Sequence, residues 1–175
     1  MSVRSYYDGW ERVQRRLIAG VEAMPASDLD LRARDGYWPV WALAAHLAGA
    51  RVYWLCSVLG ERGIDATPFE DVDTDGWEDH LDRPRGAGEV LHALRSSWAI
   101  VESCLDRWTE PMLGESFERR FGDIVQHHTR ASVLTRLVTH DGYHAGEISL
   151  TLGMHGRATV DPWEFPGTVK REPES

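Results

Sequence analysis

The sequence predicts an all-α protein, a four-helix bundle with long connecting loops. Four segments carry apolar residues at alternating intervals of three and four, which is the spacing of one helix face. No segment shows a convincing strand pattern in competition with them. The length of 175 residues suits a single domain, and an apolar content of 42% is enough for a compact core. Four such helices in one domain pack as a bundle.

The first two helices are expected over residues 3–24 and 39–60. Pro25 ends the first helix, and Pro39 suits the first turn of the second. Arg51 is the only charged side chain of the second helix, histidine aside, so this helix should be the most buried of the four. The stripe of the first helix consists of Val3, Tyr6, Trp10, Val13, Leu17, Val21 and Met24.

The third and fourth helices are expected over residues 87–109 and 129–153. The link over residues 61–85 is long and polar, and the link over residues 110–128 is long enough to hold an extended segment. The stripe of the third helix consists of Val90, Leu94, Trp98, Val101, Leu105 and Trp108. The fourth helix carries the sequence VTHDGYHAGEISLTLGM, which contains two histidines.

Residues 1–160 are assigned to the bundle and residues 161–175 to an extended C-terminal tail. The tail contains three prolines, and Trp163 and Phe165 are expected to pin its first half to the bundle. Cys56 and Cys104 lack metal-ligand spacing and are interpreted as free thiols of a reducing cytosol. No signal peptide or membrane span is expected, so the chain is predicted to be cytoplasmic.

The charge balance is acidic, with 28 Asp and Glu against 19 Lys and Arg. Nucleic-acid phosphates and anionic membrane surfaces attract basic proteins, so neither is expected as a partner. A small molecule is the expected partner.

Three histidines fall where the bundle interior is expected. His46 lies in the middle of the apolar second helix, and a buried imidazole without a partner costs about 1 to 3 kcal/mol. His140 and His144 are four residues apart, so they share one helix face with Cβ atoms roughly 5 to 6 Å apart. Such a pair can supply two ligands to one metal, and a third from another helix leaves the open position of a catalytic site. The alternative is that each is a hydrogen-bonded core histidine.

The segments WPVWALAAHLAGARVYW and THDGYHAGEISL together resemble the DinB/YfiT-like family of metalloenzymes. In that family a tryptophan-led second helix carries one histidine and the last helix carries an HDxYHxGQI-like motif; here Glu147 stands where glutamine is frequent. The segment GVEAMPASDLDLRARDGYW also resembles the family's first interhelical loop. The resemblance implies a four-helix bundle, frequent homodimers, and a divalent metal such as zinc or nickel held by His46, His140 and His144. The imidazole nitrogens should then lie within about 3 to 4 Å of one another.

Two acidic residues beside the histidines are candidate catalytic groups. Asp141 projects toward the apolar side of its helix, so its carboxylate needs a donor, either a ligand histidine or a tryptophan or tyrosine side chain. Glu147 could be a fourth ligand, a general base or a solvated flanking residue. Tyr53, two turns after His46, is expected to line the same cavity.

The acidic segment DVDTDGWEDHLD, residues 71–82, partly matches the spacing of a calcium loop. The matching residues are Asp71, Asp73, Asp75, Gly76 and Asp82. The final position is aspartate instead of a bidentate glutamate, and Glu78 occupies a position that is normally apolar. A solvated acidic loop is the favoured interpretation.

The leading functional interpretation is a divalent-metal-dependent enzyme acting on a small molecule. Members of the resembled family include metal-dependent hydrolases and thiol-dependent transferases or isomerases, so a hydrolase or a thiol-dependent S-transferase using a low-molecular-weight thiol is expected. The alternative is a non-catalytic metal- or ligand-binding bundle that acts as a sensor or storage module. A third interpretation is a metal-free bundle whose histidines are satisfied core groups.

Overall fold

The computed structural model describes residues 1–70, 72–73 and 75–161. The predicted four-helix architecture is confirmed, and a small two-stranded sheet is added to it. The elements are α1 (Asp8–Ala23), α2 (Val40–Val52), α3 (Ala87–Arg107), β1 (Ser116–Phe121), β2 (Ile124–Thr129) and α4 (Arg130–Met154). Asp161 is the last described residue, so the rest of the predicted tail, with Trp163 and Phe165, lies outside the described residues. Among the described residues, no helix combines the length and apolar character needed to cross a membrane.

The helix ends explain where the predicted boundaries differ from the observed ones. A 3₁₀ turn over Arg4–Tyr7 precedes α1, so the α-helix starts later than the apolar stripe suggests. The second helix continues past Val52 as a π-helical turn over Tyr53–Val58. At the start of α4 the Thr129 hydroxyl accepts a hydrogen bond from the backbone N–H of Ser132 at 3.1 Å, which satisfies one of the free amides of the first turn.

Helix α2 lies at the centre of the bundle. Ten of its 13 residues are buried, against four of 16 in α1. It packs against both α3 and α4. A helix that is surrounded on most sides needs apolar residues on most sides, which is why its sequence is apolar throughout and carries no narrow stripe.

One buried hydrogen-bond network connects all four helices. The Asp141 carboxylate on α4 accepts hydrogen bonds from Arg51 Nη2 on α2 at 2.6 Å and from the Trp10 indole on α1 at 2.6 Å. Arg51 Nη2 also donates to Gln14 Oε1 at 2.6 Å, and Gln14 donates to the Leu94 carbonyl on α3 at 3.1 Å. The network therefore fixes the height of α4 relative to the other three helices.

Strands β1 and β2 form an antiparallel hairpin between α3 and α4. Gly122 and Asp123 make its two-residue turn, with Phe121 paired to Ile124 on either side and Gly122 at φ +56°. The hairpin folds back over the π-helical turn of the second helix, where Arg119 Nε donates to the Tyr53 hydroxyl at 2.5 Å. The extended segment allowed for in this link is thus a hairpin that covers one side of the bundle.

The loop after α2 approaches α3 closely at one glycine. Gly63 has φ +125°, and a Cβ there would lie 2.8 Å from the side chain of Ile100. Gly60 also has a positive φ of +71°, but a Cβ there would meet nothing within 4 Å. Both positions favour glycine for their backbone, and only Gly63 also needs it for space.

Candidate metal centre

The two helices that carry the histidines bring the three rings together. His46 on α2 faces His140 and His144 on α4, with ring centroids 4.8 Å apart in each case. The Nε2 atoms of His46 and His140 are 3.0 Å apart. One ligand atom from each ring lies within 4.8 Å of the others, a slightly wider cluster than the 3 to 4 Å expected from the sequence.

Two carboxylates hold the outer nitrogens of this cluster. Glu78, from a 3₁₀ turn in the loop between α2 and α3, contacts His46 Nδ1. Glu147, one turn along α4, contacts His144 Nδ1 at 2.5 Å. A carboxylate at Nδ1 fixes the tautomer with the proton on that nitrogen, which leaves the Nε2 lone pair for a metal. The donor set therefore suits a divalent metal ion.

The third ring, that of His140, has a different environment. Its Nδ1 is buried without a hydrogen-bond partner among the described residues. Burial, followed by the neighbouring His144 and His46, lowers the pKa of His140 to about 3. Burial also lowers the pKa of His144, although Glu147 opposes the shift. Both rings are thus neutral at physiological pH, the form in which histidine binds metals.

The cluster lies between two cavities. The larger, of about 600 Å³, reaches His46 and His140 and is also lined by Tyr53, as the sequence suggested. The smaller, of about 360 Å³, reaches His144 and Glu147. The histidines can therefore be reached by a small molecule without any rearrangement of the helices.

Asp141 lines neither cavity, although it follows His140 directly. Of the donors considered from the sequence, the tryptophan indole is the one that the structure provides, and Arg51 adds two further hydrogen bonds at 2.6 and 2.9 Å. Burial raises the pKa of Asp141, and the Arg51 guanidinium and the Trp10 indole oppose that rise. The structure places this carboxylate in the helix-connecting network and places Glu147 beside the histidine cluster.

The described aspartates of the acidic loop are exposed, as the sequence suggested, but Glu78 in the same loop is not. The Glu78 side chain is only 13% exposed because it folds onto His46. Asp75 in the same loop contacts His80 at 2.5 Å. Sequence reasoning missed Glu78 as part of the site because it lies 32 residues after His46 in a loop, and no periodic pattern predicts such a contact.

Two further histidines, His127 and His128, lie in strand β2. The ring of His128 packs against the indole of Trp54, with centroids 4.9 Å apart. Neither histidine belongs to the three-histidine cluster.

The fold and the site define a helical bundle with a three-histidine cluster suited to a divalent metal. The chain belongs to the DinB superfamily, whose family model matches residues 10–148. The crystal structure of a DinB-like protein from Bacillus cereus ATCC 10987 is similar, with a TM-score of 0.68 and 19% identity over 90% of this chain and 95% of that chain. At that identity the similarity shows a shared fold. The comparison with curated proteins found no match.

Proposed function

We propose that this protein is a divalent-metal-dependent enzyme that acts on a small molecule, as a hydrolase or a thiol-dependent S-transferase. The observation that supports the proposal is the convergence of three imidazoles beside a cavity of about 600 Å³. Structural zinc sites are closed by four protein ligands, whereas catalytic sites use three and keep one position open. A low-molecular-weight thiol is the proposed cosubstrate in the transferase case.

His46, His140 and His144 would hold the ion, and zinc and nickel are the proposed metals because both accept imidazole ligands. When bound, the ion supplies Lewis acidity to polarise a carbonyl or to activate water or a thiol. Glu78 and Glu147 orient two of the imidazoles through their Nδ1 atoms. Glu147 also borders the smaller cavity, so it is the candidate general base.

Asp141, the other candidate from the sequence, is assigned a positioning role in this proposal. Its carboxylate is held by Arg51 and Trp10 inside the bundle, so it acts on the site through the placement of α4. The neighbouring His140 depends on that placement to face His46.

We also propose that two copies of the chain pair through the exposed face of α4. Tyr143, Leu150 and Met154 are each more than 60% exposed on that face. Apolar surface of this kind is commonly covered in isologous dimers. Light scattering of the purified protein at high micromolar concentration should give the mass of a dimer, and a monomer would contradict it. The free thiols Cys56 and Cys104 support the proposed cytoplasmic location.

The metal is tested first, on untagged protein, by elemental analysis. The purified protein should contain about one divalent ion per chain. His46→Ala, His140→Ala and His144→Ala should each lose it while circular dichroism shows unchanged helical content. His92→Ala is the matched control, because His92 is exposed on α3 and outside the cluster. The proposal fails if any of the three histidines can be removed without loss of the ion.

Catalysis is tested next with the zinc- and nickel-loaded proteins. Activated esters report hydrolysis, and an electrophile with a low-molecular-weight thiol reports S-transfer. Turnover that disappears in His140→Ala supports the enzyme. A protein that binds its metal stoichiometrically and turns over none of these substrates would favour the sensor or storage alternative.

A further inference from the structure

The larger cavity has two walls of opposite charge. One wall is the acidic loop, in which the carboxylates already have partners. Asp75 contacts His80 at 2.5 Å, and Asp79 Oδ2 accepts the backbone N–H of Gly76 at 2.9 Å. The other wall is formed by the hairpin and α4, which contribute arginines.

Two of these arginines, Arg119 and Arg136, differ from the third, Arg120. Among the described residues, no carboxylate forms an ion pair with Arg119 or Arg136. Arg120 lines the same cavity but is paired with Glu118 at 2.9 Å. The chain carries a net charge of −9, so carboxylates are abundant, yet within the described part of the chain neither guanidinium group at this cavity is neutralised by one.

The neighbouring side chains hold the two guanidinium groups in place. Arg119 Nε donates to the Tyr53 hydroxyl at 2.5 Å and Arg119 Nη1 donates to Gln126 Oε1 at 2.9 Å. The guanidinium carbons of Arg119 and Arg136 lie 5.4 and 4.6 Å from the centre of the Trp54 ring. Packing against an aromatic ring fixes a guanidinium without using all of its N–H groups, so the remaining ones stay available to an oxyanion.

The positive charges of Arg119 and Arg136 also affect a histidine on the same side of the bundle. The pKa of His128 is lowered by its burial and further by Arg136 and Arg119. This positive potential borders the cavity that contains His46 and His140. A negatively charged group entering the cavity is therefore attracted to the hairpin side and repelled by the acidic loop.

We infer that Arg119 and Arg136 form a subsite for the oxyanion of a small organic acid whose other end faces His46 and His140. The inference rests on the proposed function, because it names the substrate class of the same cavity. Guanidinium groups bind carboxylates and phosphates through parallel N–H···O hydrogen bonds, which are stronger than neutral ones. The rings of Trp54, Phe69 and Phe121 line the cavity and suit an apolar or aromatic body.

The test measures binding of benzoate, phenyl phosphate and neutral benzamide by isothermal titration calorimetry at low ionic strength. Benzoate or phenyl phosphate should bind the wild type, and the better of the two identifies the oxyanion. Arg119→Gln and Arg136→Gln should each weaken that binding about tenfold or more, since each removes charge-assisted hydrogen bonds. Benzamide should bind the wild type and both variants equally weakly.

Arg120→Gln is the matched control, because Arg120 lines the same cavity with its charge already paired, and it should bind the anion like the wild type. Arg136 is exposed, so Arg136→Gln remains informative if Arg119→Gln fails to fold. Arg136→Lys should recover part of the affinity by keeping the charge. No binding of either anion to the wild type, or equal binding to wild type and both glutamine variants, overturns the inference.

The metal-free wild type and His140→Ala separate this inference from the proposed function. Anion binding that depends on the arginines should persist in both, whatever the metal content. Anion binding that is lost in His140→Ala and retained in both arginine variants would place the anion at the histidines. That result would overturn the subsite and leave the metal-dependent function standing.

Discussion

Replacement of Asp141 by asparagine tests whether the buried network holds the bundle together. The substitution keeps the size of the side chain and removes its charge, so the Arg51 guanidinium is left inside the bundle without a counter-ion. Both side chains are only 1% exposed, and Asp141 Oδ2 accepts hydrogen bonds from Arg51 and Trp10 at 2.6 to 2.9 Å. Removing one partner of such a pair costs about 3 to 5 kcal/mol.

That loss is large compared with the total stability of a domain, which is typically about 5 to 15 kcal/mol. One kcal/mol shifts the Tm of a chain of this size by about 2 to 4 °C, so the Tm of Asp141→Asn should fall by roughly 6 to 20 °C. Urea unfolding of the metal-free protein at pH 7, followed by circular dichroism, gives the free energy directly. Metal-free protein is used because a bound ion would add its own stabilisation.

The matched control is Asp106→Asn, which removes the charge of an exposed partner of Arg4. Surface ion pairs contribute about 0 to 1 kcal/mol, so this variant should unfold almost like the wild type. A cost below about 1 kcal/mol for Asp141→Asn would refute the reasoning. Loss of turnover in Asp141→Asn at unchanged stability would instead favour a direct catalytic role for the carboxylate.

Three further predictions concern acid stability, thiol reactivity and one loop. The pKa of His140 in the metal-free folded protein is about 3, below the ordinary value of 6.5, so the unfolded chain binds more protons between these values. The urea midpoint of the wild type should therefore fall as the pH drops from 7 to 5, and the midpoint of His140→Asn should fall less. Equal decreases of the two midpoints would contradict this. Burial raises the pKa of Cys56 to about 11 and of Cys104 to about 12. At pH 8 no more than ~0.1% of either thiol is ionised, so both should react slowly with a disulfide reagent until the protein is unfolded, and rapid reaction of the native protein would count against their burial. Gly63→Ala should destabilise the protein more than Gly60→Ala, because both strain a left-handed backbone but only the first also displaces a side chain of α3; equal Tm values would show that the loop moves away freely.

The helices could be predicted from the sequence because each one buries a defined face. The apolar spacing of α1 and α3 follows the helix period, and the uninterrupted apolar sequence of α2 reflects its central position. The hairpin could not be assigned in the same way. Its strands are mostly exposed, so they lack the alternation of a half-buried sheet, and the Gly122-Asp123 turn was the only signal present.

The site was predictable to the extent that it depends on helix geometry. His140 and His144 share a face because they are four residues apart, but the position of His46 opposite them came from the family resemblance. The Arg51–Asp141 pair had a signal in the sequence, since Arg51 is the only charge of the apolar second helix and Asp141 projects toward the apolar side of its own helix. Opposite charges at two such positions suggest a pair. The contact of Glu78 with His46 had no signal in the sequence, because Glu78 lies in an irregular loop.

The hairpin and the histidines belong to separate parts of the architecture, and this separation affects how the protein can change. The histidines stand on two helices that the central network keeps in register, whereas Arg119 and Phe121 stand on a surface hairpin that contributes little to the core. Substitutions in the hairpin can therefore accumulate, or be introduced in the laboratory, without unfolding the bundle. The same scaffold could acquire a new binding specificity through exchange of those 14 residues, Ser116 to Thr129, while the histidine cluster is inherited unchanged.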